Sequence, residues 1–360
     1  MQKEVMAIIV DFGNYYDPSN DTTNFTPYVV DPNTLTCEIS PLHPSATVAL
    51  CVILITIFIL AIPGNLLVGW VISTSRQSLS PSDVYLLHLT IADGLMALTL
   101  PFWSAALIQG WLFGDSMCKL VSLITEANFY TSILFLACIS IDRYLVIVRA
   151  SDSPKSRQRL CSWLLCAAVW ALGVALALPA FFNDAFKFGD SGRTICTERF
   201  DIGQASSWRI ATRGFRHIFG FLLPVTVMIT CYSITIARLL RTRGFQKHRA
   251  MRVIIAVVIA FLLCWTPYHI TMMVDTLLRV ELISDCALRR SVDKALVITN
   301  CLALVHSCIN PVLYAFVGQK FRKNMQMLLQ RKVRQERMSE RMAKFSRSTS
   351  QTSEGNGAVL

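Results

Sequence analysis

Seven apolar runs, at residues 46–73, 84–108, 118–149, 160–182, 210–240, 251–278 and 292–317, each hold enough residues to cross a hydrocarbon layer as a helix, which takes roughly 20. A backbone in lipid must satisfy its own hydrogen bonds, and a long apolar run does so by coiling into a helix. The expectation is an all-α membrane protein, a seven-transmembrane helix bundle with its termini on opposite sides. Composition agrees: mean hydropathy is +0.48 and only 16% of residues are charged, fewer than a soluble domain carries.

Charge sets the orientation. Loops after runs one, three and five carry Arg76, then Lys155, Arg157 and Arg159, then Arg241, Arg243, Lys247 and Arg249, and the tail adds Lys320, Arg322 and Lys323. Basic loops stay in the cytoplasm, so the amino terminus is expected outside. The opposite loops also hold Arg193, Arg199, Arg289 and Arg290, but mixed with Asp190, Glu198, Asp201 and Asp285. Three parts result: an extracellular arm at 1–44, the bundle at 45–317 and a cytoplasmic segment at 318–360. The net charge of +11 sits beside the spans with no soluble domain to display it, so anionic membrane lipid is the expected counterpart, and nucleic acid is not. The first ten residues offer only AIIV before Asp11, which makes no cleavable leader, so the first span is expected to direct insertion.

The arm is acidic, with Glu4, Asp11, Asp17, Asp21, Asp31 and Glu38 against Lys3. Such an arm suits a basic partner, because long-range attraction raises encounter rates. Tyr15 and Tyr16 beside Asp17 are either sulfated or plain tyrosines, and Asn20 and Asn24 open glycosylation sequons. Of the twelve cysteines, Cys37, Cys118, Cys196 and Cys286 fall on the expected outer side, and the rest are small packing residues in or near the spans. Four cysteines allow three pairings; the favoured one joins Cys118 to Cys196 and Cys37 to Cys286.

Polar residues inside the spans narrow the reading. Glu126, Asn128 and Tyr130 interrupt the third run and tolerate a bilayer only if they face other helices or a wet cavity, so the third span belongs at the centre. Near its inner end stands Asp142-Arg143-Tyr144. An arginine held by a neighbouring aspartate in one state and released in another makes a two-state switch; the alternative is a pair of interfacial anchors. Pro101, Pro224, Pro267 and Pro311 mark expected bends. Asp93 has Asn65, Ser132, Ser307 and Asn310 as candidate oxygen-bearing neighbours, which would hold either a sodium ion with waters or a carboxylate that only packs helices.

Asn65, Asp93, Asp142-Arg143-Tyr144, Trp170, Pro224, Cys264-Trp265-Thr266-Pro267 and Asn310-Pro311-Val312-Leu313-Tyr314 follow one another span by span, and in that order they resemble the rhodopsin-like G-protein-coupled receptors. Thr99-Leu100-Pro101, His306-Ser307-Cys308 and the four outer cysteines are similar to chemokine receptors. The runs DVYLLHL, FLACISIDRYL, GQKFR and QKHRAMRVI resemble the CXC branch of interleukin-8 type. The resemblance implies CXC chemokines as ligands, first met by Tyr15, Tyr16 and Asp17. Arg209, Arg213, Asp275 and Arg279 would then meet the ligand's amino-terminal segment, with arginines able to clamp the carboxylate of a Glu-Leu-Arg motif. It further implies that Trp265 at the Pro267 bend passes on the signal. Arg143 would then leave Asp142, Tyr232 and Tyr314 would move inward, and a heterotrimeric G protein of inhibitory type would be admitted. Two departures are visible: Thr299-Asn300 stands where many chemokine receptors have an acid, and Leu107 where relatives often have a base.

Beyond Gly318, GQKFRKNMQMLLQRK places Phe321, Met325 and Leu328 on one face and is expected to form a short amphipathic eighth helix on the membrane surface. Ser346, Ser348, Thr349, Ser350, Thr352 and Ser353 are candidates for receptor kinases and for arrestin, which grips added phosphate. No cofactor is required, and the candidate sodium ion would be allosteric. Competing readings are a decoy receptor, disfavoured by the intact Asp142-Arg143-Tyr144, and a transporter, for which repeats or charged pathways across several spans are absent from the sequence. No nucleophile with its base, metal cluster or phosphate loop supports an enzyme.

Overall fold

The computed structural model describes residues 42–74, 79–149, 155–188, 192–199, 205–240, 245–279, 285–317, 322–323, 325–327, 330, 334–340 and 342. Among these, seven helices are long and apolar enough to cross a membrane: Pro44–Ser73, Pro81–Gln109, Gly114–Arg149, Arg157–Phe182, Ser207–Arg238, Val258–Arg279 and Cys286–Val312. They are called spans one to seven.

Helix ends follow local chemistry. Span one starts with Pro44 in its first turn, where a missing N–H costs nothing. Span two starts with a capping box in which Ser80 and Asp83 satisfy each other's backbone N–H, and it stops at Gly110, whose φ is 85°. Gly110 is required there: a Cβ would lie 2.7 Å from the carbonyl oxygen of Thr194. Span seven begins on Asp285, whose carboxylate accepts from the N–H groups of Ala287 and Leu288.

Several features of the described residues depart from seven plain helices, and three of them shape the interior. Span five is helical from Ala205 to His217 and from Leu223 to Leu240, with a π-helical turn, Ile218–Leu222, between. Pro224 has no N–H to donate, and just before it the Leu223 N–H bonds Ile218 O, five residues back; the expected bend at Pro224 is therefore a π turn placed ahead of it. Span seven breaks at Val305, between Cys286–Leu304 and His306–Val317. The third departure is a small β element in the loop at one end of the helical bundle: β1 (Asn183–Phe188) and β2 (Arg193–Glu198) form an antiparallel hairpin in register Ala185↔Cys196. Proline also lies inside span one, at Pro63, a position without an expected bend.

Packing is inverted relative to a soluble protein. Leucines and isoleucines such as Leu66, Leu164, Leu263 and Ile270 face outward, whereas Asp93, Thr131, Ser132, Ser140, Asp275 and Ser307 are fully buried. Lipid accepts the first set, and the second set finds partners inside. Outward hydroxyls return their protons to their own helix, as Thr56 does to Val52 O and Thr230 to Thr226 O.

Span three is the axis, touching spans two, four and five and the hairpin. Close approach is granted by glycine. A Cβ on Gly173 would sit 2.4 Å from Thr131 Cγ2, and one on Gly220 2.5 Å from Phe129 Cε1. Gly64 of span one meets the Pro311 ring in the same way, at 3.0 Å. The next residue completes that joint, since Asn65 Nδ2 donates at 2.9 Å to Ser307 O, the carbonyl that Pro311 leaves without its helical donor.

Of the expected eighth helix only separate residues are described; among them Met325 is helical and packs against the bundle core. Phe321 and Leu328 lie outside the described residues.

Candidate functional site

At one end of the bundle the hairpin is tied down. Cys118 and Cys196 are bonded, with Cα atoms 5.7 Å apart, joining β2 to span three as expected. Trp111 N–H donates to Thr194 O at 2.8 Å, and Asp115 accepts from Ala185 N–H at 2.9 Å. Lys119 pairs with Asp184. Arg193 Nη2 donates to Ala106 O and Leu107 O at 3.1 and 2.8 Å, so a cation closes the carboxyl end of span two beside the apolar Leu107. Cys286 is disulfide-bonded; Cys37 lies outside the described residues.

Beneath the hairpin lies an ionic cluster. Asp275, fully buried on span six, receives Arg213 of span five at 2.5 Å and Arg279 at 2.8 Å. Arg279 reaches on to Asp293 of span seven, and Arg213 Nε is 3.6 Å from Glu198 of β2. Arg209 lies in the same field of charges. The structure thus gathers all four residues expected to meet a ligand, and it adds Glu198 and Asp293. Their arginines are answered by internal carboxylates, so the cluster ties spans five, six and seven to the hairpin.

One layer deeper, Arg216 of span five pairs with Glu126 of span three. Its guanidinium lies over the rings of Phe129 and Tyr268, 4.9 and 5.2 Å from their centroids. Glu126 stood out in the sequence only as an interruption, and Arg216 was not singled out. The available signal was spacing, because Arg209, Arg213 and Arg216 repeat at four and three residues and share one helix face.

Aromatic packing carries the connection inward. Phe129 is 4.4 Å from Trp265 between ring centroids, Trp265 Nε1 donates to His306 Nδ1 at 3.2 Å, and His306 Nε2 is 3.5 Å from Asp93. Beside Trp265, His217 and His269 share a 2.9 Å contact between their Nδ1 atoms, with Phe221 stacked on His269. Trp170 Nε1 donates to His88 at 3.1 Å, fastening span four to span two.

Asp93 accepts from Ser132 Oγ at 3.0 Å and from Asn310 Nδ2 at 2.6 Å. Ser307 Oγ donates instead to Leu304 O at 2.9 Å, and Asn65 Nδ2 serves Ala61 O and Ser307 O. Hydrogen donors therefore surround the carboxylate, whereas a hard cation needs a ring of oxygen lone pairs. As arranged, the residues do not fit a sodium ion.

At the far end Asp142 and Arg143 lie 3.7 Å apart, and Asp142 also accepts from Ser82. Arg143 retains 25% side-chain exposure, and its Nε has no partner among the described residues. Tyr144 ends the α-helical part of span three, half-buried. Ser140 Oγ donates to Tyr232 at 2.8 Å, which brings span five against the latch. Pro267 and Pro311 lie inside helices of spans six and seven. The Tyr314 side chain, the arm residues Tyr15, Tyr16, Asp17, Asn20 and Asn24, and the tail residues Ser346, Ser348, Thr349, Ser350, Thr352 and Ser353 lie outside the described residues.

The family described as 7 transmembrane receptor (rhodopsin family) matches residues 64–314. The chain is 42% identical to the C-X-C chemokine receptor type 2 of Oryctolagus cuniculus, over 89% of this chain and 87% of that one. It is 46% identical to the type 1 receptor of the same organism, over 77% and 78%. Against the type 2 receptor of Homo sapiens the identity is 45%, over 76% of each chain.

Proposed function

Because this chain belongs to the rhodopsin family of seven-transmembrane receptors and, within it, to the C-X-C chemokine receptors, we propose that it responds to Glu-Leu-Arg-bearing CXC chemokines. It does so at the plasma membrane, where its amino terminus faces outward, and it activates a heterotrimeric G protein of inhibitory type that supports leukocyte chemotaxis. As a receptor of this family it is a multi-pass membrane protein and not an enzyme.

One observation carries the reading: buried and half-buried side chains lead from the hairpin end to the middle of the bundle. From the Arg213–Asp275–Arg279 cluster, span five leads three residues on to Arg216, and ring and hydrogen-bond contacts continue through Phe129, Trp265 and His306 to Asp93. Below it, span three continues to the Asp142–Arg143 latch. A chemokine captured by Tyr15, Tyr16 and Asp17 of the arm inserts its amino-terminal segment at the hairpin end. Its carboxylate exchanges with Asp275, Glu198 or Asp293 on Arg213, Arg279 or Arg209. A ligand that binds the rearranged cluster better than the resting one shifts the bundle between two states. Trp265, two residues before Pro267 in span six, relays that shift. Arg143 then leaves Asp142, and Tyr232 leaves Ser140 to meet Tyr314 and Arg143 from within.

Phosphorylation of the Ser346–Ser353 cluster by receptor kinases would then recruit arrestin. No cofactor enters this sequence, and sodium at Asp93 would first require Asn310 and Ser307 to turn their oxygens toward the ion beside that carboxylate.

Nucleotide exchange on an inhibitory-type G protein, measured with the receptor in lipid nanodiscs against a panel of CXC chemokines, tests the proposal. Glu-Leu-Arg-bearing members should stimulate exchange and members lacking the motif should not. Equal stimulation by both groups would remove the specificity, and chemokine binding without any exchange would leave a decoy.

A further inference from the structure

Glu126 and Arg216 are unequal partners. The face of an aromatic ring is negative, so the rings of Phe129 and Tyr268 support the Arg216 cation with or without a counter-ion. Glu126 has no such substitute. Its described hydrogen-bond donor is Arg216, the same ring faces repel an anion, and a second carboxylate, Glu198, lies in electrostatic range. A ligand anion that took Arg216 would strand a buried carboxylate. A ligand cation that took Glu126 would leave Arg216 resting on two rings.

Both side chains keep some exposure, 21% for Glu126 and 14% for Arg216. The approach is not barred by charge, since Arg213 and Arg279 above are answered by Asp275, Glu198 and Asp293. Arg216 stands seven residues beyond Arg209 on the same helix, about 10 Å deeper at 1.5 Å per residue.

We propose that Glu126 is a deep subsite for a cationic ligand group, an ammonium or a guanidinium, which takes the place of Arg216 on the carboxylate and leaves that guanidinium resting on Phe129 and Tyr268. The proposal rests on the reading above, in that the ligand enters from the hairpin end. It also gives the ligand purchase on the relay, because Phe129, which carries the guanidinium on one side, packs against Trp265 at 4.4 Å.

The first arm of the test needs no ligand. Apparent melting temperatures of purified wild type, Glu126→Gln and Arg216→Gln should show Arg216→Gln as the less stable variant by several degrees, because it strands the carboxylate. The reverse order, or equal losses, overturns the proposal even if chemokines prove to bind and signal.

The second arm uses a Glu-Leu-Arg-bearing CXC chemokine in three forms: unmodified, acetylated at the amino terminus, and with the motif's arginine replaced by citrulline. One modified form should lose about tenfold or more in affinity on wild type, the range of a lost hydrogen bond to a charged group, and that form identifies the cation. On Glu126→Gln it should bind as the unmodified chemokine does. An equal loss on wild type and variant, or no loss for either form on wild type, overturns the assignment of Glu126. If no chemokine binds at all, the receptor's ligand class is wrong, and the stability order decides whether Glu126 is the dependent partner.

Discussion

Asp275 shows how a single buried carboxylate organises its surroundings. It has no exposure and answers Arg213 and Arg279 from two different helices. Asp275→Asn would leave two guanidiniums side by side. Removing one partner from a buried pair costs about 3–5 kcal/mol, and the residual exposure of the arginines lets water screen part of it, so about 2–3 kcal/mol is expected. The loss should appear as a lower apparent melting temperature, with a smaller drop for Asp293→Asn at the rim.

Gly220 makes the opposite point, that a missing atom decides a contact. An added Cβ would lie 2.5 and 2.8 Å from the Phe129 ring and 3.0 Å from Tyr130. Gly220→Ala should therefore cost about 1–3 kcal/mol by overpacking. Gly214→Ala, six residues earlier with nothing within 4 Å, should be neutral or stabilising in the same melting assay.

At the scale of elements, the hairpin and the proline joints decide how helices are held. Among the described residues β1 and β2 have only each other for sheet partners, and a lone two-stranded hairpin is marginal in water. The Cys118–Cys196 bond, the Trp111–Thr194 hydrogen bond and the Lys119–Asp184 pair fasten this one to spans two and three. Cys118→Ser should lower stability by about 2–4 kcal/mol. Hydrogen exchange should quicken for the β1 and β2 amides, while span three below Val121 stays protected. Uniform loss of protection along span three would mean that the bond stabilises the bundle and not the hairpin. Pro311 is handled differently: Gly64 admits its ring and Asn65 supplies the donor its backbone lacks. Residues side by side in span one thus repair a defect in span seven.

For the whole molecule, apolar side chains meet lipid, and the buried and half-buried ionic groups of the bundle line an interior column. The proposed function requires that column to transmit a change from the cluster to the latch. Arg143→Ala should leave chemokine affinity within about threefold, the effect of a small shift in a two-state balance, while abolishing nucleotide exchange on the G protein. Full exchange by that variant would show that the latch is an anchor at a helix end. The effect belongs to the whole molecule because Arg143 and Asp275 lie at opposite ends and share no contact.

Hydropathy was enough to read the seven spans, because each run is a local property and lipid leaves a backbone only one economical answer. The helix limits at Ser80, Gly110 and Asp285 are equally local, as are the sites of the prolines. The latch was legible because Asp142 and Arg143 are neighbours in the chain. Only the folded molecule decided that Arg216 meets Glu126 across 90 residues, that Arg213 meets Asp275 across 62, and that Asn65 serves Ser307 O across 242. Such pairings depend on how each helix is rotated about its axis. That rotation is set by the close approaches at Gly64, Gly173 and Gly220, where the deciding feature is the absence of a side chain and the partner lies on another helix.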